Sequence, residues 1–252
     1  MTNLTNKVAI VTGAGSDMGK AIALAYSQAG AKVVLADVNQ QTLAEVESEI
    51  TSQGRQALSC ITDISKESDI EALIKTTTEK FNRIDILVNN AGIMDSFQPV
   101  GHVSNELWHK VMSINLEGPF MAARAAINFM EKQEHGGIII NNASVGGLFG
   151  GRGGAVYTVS KHGLIGLTKN IAATYGRFGK IRANAIAPGD VNTNISSTIS
   201  QPDNLGIQAS QAAGQPPMGN PEQIAAVALF LADDEASFVN GDVIKADGGW
   251  TV

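Results

Sequence analysis

The sequence predicts an α/β fold, a doubly wound parallel seven-stranded sheet with helices on both faces. Three observations predict it. Short apolar runs alternate with helical periodicity along the whole chain. The first run ends in a glycine-rich turn that passes at once into a helical pattern, Val8–Gly19. The alternation continues past residue 180 with no linker, repeat or low-complexity tract, so residues 1–252 read as a single domain.

Each element follows in order. After the opening strand, Ile22, Ala25, Tyr26 and Ala29 fall at helical spacing over Lys20–Ala29, and Gly30 ends that helix. Lys32–Ala36 is a short strand closed by Asp37, and Gln41–Gln53 an amphipathic helix stopped by Gly54. Ala57–Ile61, closed by Asp63, is the third strand, and Glu67–Phe81 the third helix. Ile84–Val88 is a strand running into Asn89-Asn90-Ala91-Gly92. Ser104–Glu134 reads as one long helix capped by Ser104. Ile138–Asn142, a long helix over Ala155–Arg177, and Ile181–Ile186 follow. Pro221–Ala232 carries proline in its first turn, and Asp242–Ala246 is the last strand. One irregular segment remains, Asn192–Asn220, rich in Ser, Gln, Asn, Gly and Pro. It is too long for an ordinary connection and reads as a substrate loop or lid over 192–220.

Composition narrows the function. The chain is 44% hydrophobic and 17% charged, enough to bury a large core. Its formal net charge is −6 and it has no Lys/Arg cluster, which argues against nucleic acid and anionic membrane as partners. The single cysteine, Cys60, has no partner for an internal disulfide and reads as a small buried apolar residue. The four histidines are scattered without metal spacing, so no metal is expected. Met1–Lys7 is polar and does not read as a signal peptide, and no apolar run would span a bilayer. A soluble, cytoplasmic protein is expected.

Several residues can carry chemistry. Gly13, Gly15 and Gly19 let backbone approach a pyrophosphate, although glycines also merely close strand–helix turns. Asp37 ends the second strand, where an acid can accept both ribose hydroxyls of an adenosine; alone it is equally a surface turn aspartate. That acid would repel a 2′-phosphate, and Ser16 and Val38 offer no cation to hold one, so NAD rather than NADP is expected. Tyr157 and Lys161 stand four apart, on one helix face. A nearby ammonium favours the phenolate, as would an oxidised nicotinamide, which brings the phenol toward useful proton transfer. Ser144 follows the fifth strand, where its hydroxyl can polarise a carbonyl or simply serve a turn. Asn115 lies inside a helical pattern that disfavours asparagine; it can support a bend and hold a water, or be exposed.

Together these pieces resemble the short-chain dehydrogenase/reductase family in its single-domain form, from about Lys7 to Val252. Thr12-Gly13 to Gly19 resembles its glycine turn, and Asn89-Asn90-Ala91-Gly92 the segment after strand four. Asn115, Ser144, Tyr157 and Lys161 match its tetrad in order and spacing, Pro188-Gly189 with Thr193 its nicotinamide-side loop, and Asp247-Gly248-Gly249 its C-terminal signature. The resemblance implies a Rossmann-like strand order of 3-2-1-4-5-6-7 and hydride transfer between NAD(H) and an alcohol/ketone pair. It implies Tyr157 as general acid or base, Lys161 on the nicotinamide ribose lowering the phenol, Ser144 on the substrate oxygen, and Asn115 holding a relay water. Gly13, Ser16, Asp17, Met18, Gly19, Asp37 and Val38 would surround the nucleotide. Asp63 and Ile64 would border the adenine, Asn90, Ala91 and Gly92 the adenosine, and Pro188, Gly189, Val191 and Thr193 the carboxamide.

Asp17 replaces the middle glycine of the family turn. It can cap the helix with its carboxylate turned away, or face the cofactor and repel it; the cap is the expectation, since the other cofactor positions are intact. Met94, Val145, Phe149, Gly189 and Ile195 would wall the substrate beside Ser144 and Tyr157. With no Arg or Lys placed to grip an anion, the substrate is expected to be a neutral, hydrophobic ketone or alcohol. The rivals are a 3-oxoacyl carrier-protein reductase, a polyol or hydroxysteroid dehydrogenase, and a non-catalytic NAD-binding regulator. The helix over Ala155–Gly176 carries only two charges, Lys161 and Lys169, so a partner subunit should cover one side, and a homotetramer is expected.

Overall fold

The computed structural model describes residues 2–178 and 180–252; Met1 and Gly179, within the reading of 1–252 as one domain, lie outside them. Seven strands form one parallel sheet: β1 (Val8–Thr12), β2 (Lys32–Asp37), β3 (Ala57–Ile61), β4 (Ile86–Asn89), β5 (Gly137–Asn142), β6 (Ile181–Pro188) and β7 (Val243–Ala246). Their order is 3-2-1-4-5-6-7, as the resemblance implies. The order reverses beside β1, where Ile10 pairs with Val34 on one side and Leu87 on the other.

The helices are α1 (Asp17–Gln28), α2 (Gln40–Thr51), α3 (Glu67–Phe81), α4 (Asn105–Met112), α5 (Gly118–Met130), α6 (Ala155–Tyr175), α7 (Asn204–Ala212) and α8 (Pro221–Ala232). Successive strand side chains point to opposite faces, and the core divides accordingly. Ala9 and Val11 pack with Ile22, Leu43 and Ile224 from α1, α2 and α8. Val8 and Ile10 pack with Leu73, Ala126 and Ile171 from α3, α5 and α6. Each fully buried branched side chain stabilises the sheet by about 1.5–3 kcal/mol. Cys60 is half-buried at the edge of the second cluster rather than fully enclosed.

Three expectations are corrected. The helix over Ser104–Glu134 is not continuous: a π-helical turn, Ser113–Glu117, separates α4 from α5. Pro119 has no N–H to give the Asn115 carbonyl, so the α ladder opens there. Ser104 does cap, its Oγ accepting the Leu107 N–H at 3.1 Å. Second, 192–220 is not irregular throughout. It contains α7, whose amino end is capped by Asp203 Oδ1 accepting the Leu205 N–H at 2.9 Å. Third, α1 starts at Asp17, a turn before the expected Lys20.

Candidate active site

The carboxyl ends of β1 to β4 open onto one cleft of about 310 Å³. Gly13, Ser16, Asp17 and Met18 line one wall, from the turn between β1 and α1. Gly13 adopts φ +65°, and a Cβ on Gly19 would overlap the Gly13 carbonyl oxygen, so both positions require glycine. Asp37 and Val38 line the next wall. Asp37 Oδ2 accepts the Gly15 N–H and Oδ1 the Asn39 N–H, both at 3.0 Å, with lone pairs left for a ligand hydroxyl. Asp63 and Ile64 close the far end. The Ser65 hydroxyl, 2.6 Å away, holds the Asp63 carboxyl below its ordinary value, and Lys66 at 3.1 Å adds to this. A turn cleared of Cβ atoms below a helix amino end can take a pyrophosphate, and Asp37 can take a ribose. The residues present therefore fit a nicotinamide dinucleotide.

Asn90, Ala91, Gly92 and Thr193 also line this cleft. The Asn90 amide is committed to the fold: its Nδ2 donates to the Thr12 carbonyl at 3.0 Å, and its Oδ1 accepts from Asn142 at 2.8 Å. Thr12 Oγ1 in turn accepts the Asn90 and Ala91 N–H groups at 2.9 and 3.1 Å. Pro188, Gly189 and Val191 do not line this cleft; they are tied to β7 and to the 192–220 segment. Gly189 N–H donates to the Ala246 carbonyl at 3.1 Å, and Val191 bridges to Gly219.

The expected Asp17 cap is not made. Ser16 occupies the cap position and Asp17 sits in the first turn at φ +49°. Its carboxylate lies at the cleft, accepting from Ser16 Oγ at 3.1 Å and from Asn194 Nδ2 at 3.3 Å. Asp17 therefore joins the glycine turn to the 192–220 segment, a contact between residues 177 apart in sequence.

Ser144, Tyr157 and Lys161 come together at the end of β5, and all three are buried. Ser144 Oγ accepts the Gly146 N–H at 3.0 Å, which leaves its hydrogen for an oxygen acceptor. Lys161 Nζ stands 5.7 Å from the Tyr157 ring centre and donates to the Asn142 carbonyl at 2.9 Å. Burial pulls Lys161 down to about 8. The expected lowering of the phenol by Lys161 is not met by this chain's residues. Burial holds Tyr157 above its ordinary value; the Ser144 hydroxyl opposes that rise and the Asp95 carboxylate adds to it. Asn115 lies in the π-helical turn, fully buried. Its Oδ1 and Nδ2 clasp the Ile93 N–H and carbonyl, both at 2.9 Å, and Nδ2 reaches Ser160 Oγ at 3.3 Å. Its side chain thus fastens the chain beyond β4 to α6.

The expected substrate residues separate. Met94 is tied to the 192–220 segment through its N–H to Thr198 Oγ1 at 3.0 Å. Val145 is buried beside Ser144, and Ile195 lines the same cleft as Asp37. Phe149 is exposed, with Lys245 Nζ 5.9 Å over its ring. Gly189 is packed against Asp247. Two cations stand near this wall that the sequence reading did not place there: Lys245, and Arg152, whose guanidinium lies 4.4 Å over Trp250. The reading also missed Asp95, a fully buried carboxylate at the amino end of α6. No local pattern marks it, because its partners lie about sixty residues on.

A dinucleotide cleft beside a buried Ser–Tyr–Lys set defines an NAD(P)-dependent oxidoreductase of CH–OH/C=O groups. Comparison with known proteins agrees. A family model described as enoyl-(acyl carrier protein) reductase matches residues 13–251. The 3β-hydroxysteroid dehydrogenase 2 of Eggerthella lenta is 39% identical over 250 residues, covering 98% of this chain and 96% of that protein. The crystal structure of levodione reductase superposes with TM-score 0.88 at 37% identity, covering 97% of both chains. That of a short-chain type dehydrogenase/reductase from Mycobacterium marinum gives 0.88 at 32% identity, covering 99% and 97%. This chain belongs to the short-chain dehydrogenase/reductase family. Among its described residues no helix is long and apolar enough to cross a membrane.

Proposed function

We propose that the protein is an NAD(H)-dependent carbonyl reductase/alcohol dehydrogenase acting on a neutral, hydrophobic secondary alcohol or its ketone. One observation carries the reading: the hydroxyls of Ser144 and Tyr157 lie together in a buried site, with Lys161 one turn along α6. The nicotinamide cofactor, when bound, supplies or takes up the hydride. Gly13, Ser16, Met18 and Gly19 would hold its pyrophosphate, and Asp37 its adenosine ribose. Asp63 and Ile64 would border the adenine, and Thr193, Pro188, Gly189 and Val191 would seat the nicotinamide side. NAD is preferred because Asp37 would repel a 2′-phosphate.

The chain's residues handle the proton. Ser144 donates to the substrate oxygen and fixes its position. Tyr157 gives its phenolic proton to that oxygen in reduction and takes it back in oxidation. Lys161 binds the nicotinamide ribose and links the phenol to the Asn142 carbonyl. A phenol held above its ordinary value stays protonated at neutral pH, which suits ketone reduction.

The 192–220 segment acts as a substrate lid within a single domain, with Met94, Val145, Phe149 and Ile195 as apolar wall. Arg152 and Lys245 each face an aromatic ring, which favours a neutral substrate over an anion. Relatives named for a hydroxysteroid and for levodione support a cyclic apolar compound. We further infer a cytoplasmic homotetramer. On α6 the exposed stripe Val159, Gly166 and Ala173 is uncharged, and Trp108 and Phe120 are exposed on α4 and α5. A monomeric mass in light scattering at micromolar concentration would overturn that assembly.

The decisive assay is a panel of ketones, alcohols, 3-oxoacyl and enoyl thioesters with NADH and NADPH. Neutral ketones with NADH should give the highest kcat/KM, and Tyr157→Phe should lose at least about a thousandfold. Preference for a charged acyl carrier or for an enoyl thioester would overturn the reading. Tight NAD binding without turnover would instead make the protein a regulator.

A further inference from the structure

Tyr157 is the third residue of α6, so the first turn of that helix sets where its ring lies. That turn has no local cap, because Gly154 precedes it and carries no side chain. Its N–H groups are taken by a carboxylate far back in the sequence. Asp95 Oδ1 accepts the Gly154 N–H at 2.9 Å, and Asp95 Oδ2 accepts the Tyr157 N–H at 2.8 Å. A backbone bond reinforces the junction, from the Ala155 N–H to the Gln98 carbonyl at 2.9 Å.

The chain is bent sharply to bring Asp95 there. Ser96 and Phe97, both side-chain-bearing, adopt φ +58° and +56° in succession, a region that L residues avoid. Phe97 N–H closes back on Asp95 Oδ1 at 3.2 Å. The same bend receives the 192–220 segment: the Asp203 N–H donates to the Ser96 carbonyl at 3.0 Å, and the Ser200 N–H to Ser96 Oγ at 3.3 Å. A serine or asparagine at position 154 would have capped α6 locally and more simply. A buried carboxylate is a costly substitute, and it places an acidic group at the backbone of the residue that carries the reacting phenol.

We propose that Asp95 is a positioning residue for Tyr157, holding the amino end of α6 and setting the charge that the phenol faces. The inference rests on the reading of Tyr157 as the proton-transferring group. The charged groups around that phenol are few. Lys161 lies on the same helix, and Asp95 comes from the segment after β4. On the strand-end turn Ser144 brings only a hydroxyl. In the loop before α6 the Arg152 guanidinium is stacked on Trp250, and His102 and Asp203 pair with each other at 2.7 Å on the exposed edge of the bend. Among the described residues Asp95 is thus the carboxylate that opposes ionisation of Tyr157.

The test uses the whole enzyme and two readouts. The chain has only three tyrosines, and burial pushes Tyr26 far above the working range. Ultraviolet titration of phenolate, referenced to Tyr157→Phe, therefore isolates Tyr157. In Asp95→Asn its midpoint should fall by on the order of half to one pH unit, as one like charge is removed. The kcat should fall roughly tenfold or more, from a displaced phenol, while the KM for NADH stays within about twofold. An unmoved midpoint, or an unchanged kcat, overturns the proposal. If Asp95→Asn does not fold, Gly154→Ala breaks the same contact from the helix side, since its Cβ would meet both Asp95 oxygens. The same split is expected there, and its absence is equally decisive. If Tyr157→Phe keeps activity, the functional reading itself fails. If Tyr157→Phe is inactive and Asp95→Asn behaves as the parent, only this inference fails.

Discussion

The nucleotide side of the cleft and the substrate side are built by different means. On the nucleotide side, backbone meets backbone. The turn closes on itself at Gly13 and Gly19, Asp37 props it from 22 residues away, and Thr12, Asn90 and Asn142 lock the strand ends together. On the substrate side, the parts are joined over long stretches of chain by a few side-chain hydrogen bonds. Asp95 reaches α6, Asp17 reaches Asn194, and Met94 reaches Thr198. The first arrangement yields a fixed socket, whereas the second hangs on the 192–220 segment, which meets that socket through Thr193, Asn194 and Ile195.

Paired substitutions sharpen that contrast most. Gly19→Ala drives a methyl into the Gly13 carbonyl and should weaken NADH binding by about a hundredfold or more, read by fluorescence titration. Gly206→Ala drives one into the Phe97 carbonyl, where α7 meets the bend beside Asp95. There the substrate KM should rise roughly three- to tenfold while NADH affinity holds. If Gly206→Ala weakened NADH as severely, the two sides would not be separable. The smallest effect is expected at Asp17. A half-buried carboxylate at the cleft should repel a pyrophosphate weakly, so Asp17→Gly should tighten NADH by about two- to fivefold. The gain should shrink in high salt. Loss of affinity on this substitution would mean that the Asn194 contact, not the charge, is what matters.

How much could be read in advance follows the same division. The parallel sheet and the glycine turn were legible because short runs such as Val8–Thr12 and Ile138–Asn142 carry their own signal of burial, whereas the strand order came from the family resemblance. Asp37 was legible through its spacing from the turn. Tyr157 and Lys161 stood out by their spacing, but Asn115, Ser144, Tyr157 and Lys161 were joined as one set only by the family resemblance; the end of β5, α6 and the π-helical turn bring them together. What Asn115 touches was not legible: its amide spans to Ile93 and Ser160. The break between α4 and α5 had a signal, Pro119, that the apolar periodicity on either side hides. Helix α7 had little, since Ser, Gln and Ala in Asn204–Ala212 form no strong apolar stripe; Asp203 and the packing of Gly206 on Phe97 hold it. Asp17 was misread because a helix start and an aspartate suggest a cap, while its left-handed backbone turns the carboxylate elsewhere.

The hydrogen-bonded chain from Thr12 through Asn90 to Asn142 has a consequence for the heat of binding. It fixes three neighbouring strand ends during folding, so the ordering entropy of the turn is lost then and not when a nucleotide arrives. A dinucleotide meets a population already in its competent shape, and its affinity is not divided by the fraction that is ready. On the proposed reading of 192–220 as a substrate lid, the remaining ordering belongs to that segment, and the unfavourable entropy of forming the ternary complex is expected in the second ligand to bind.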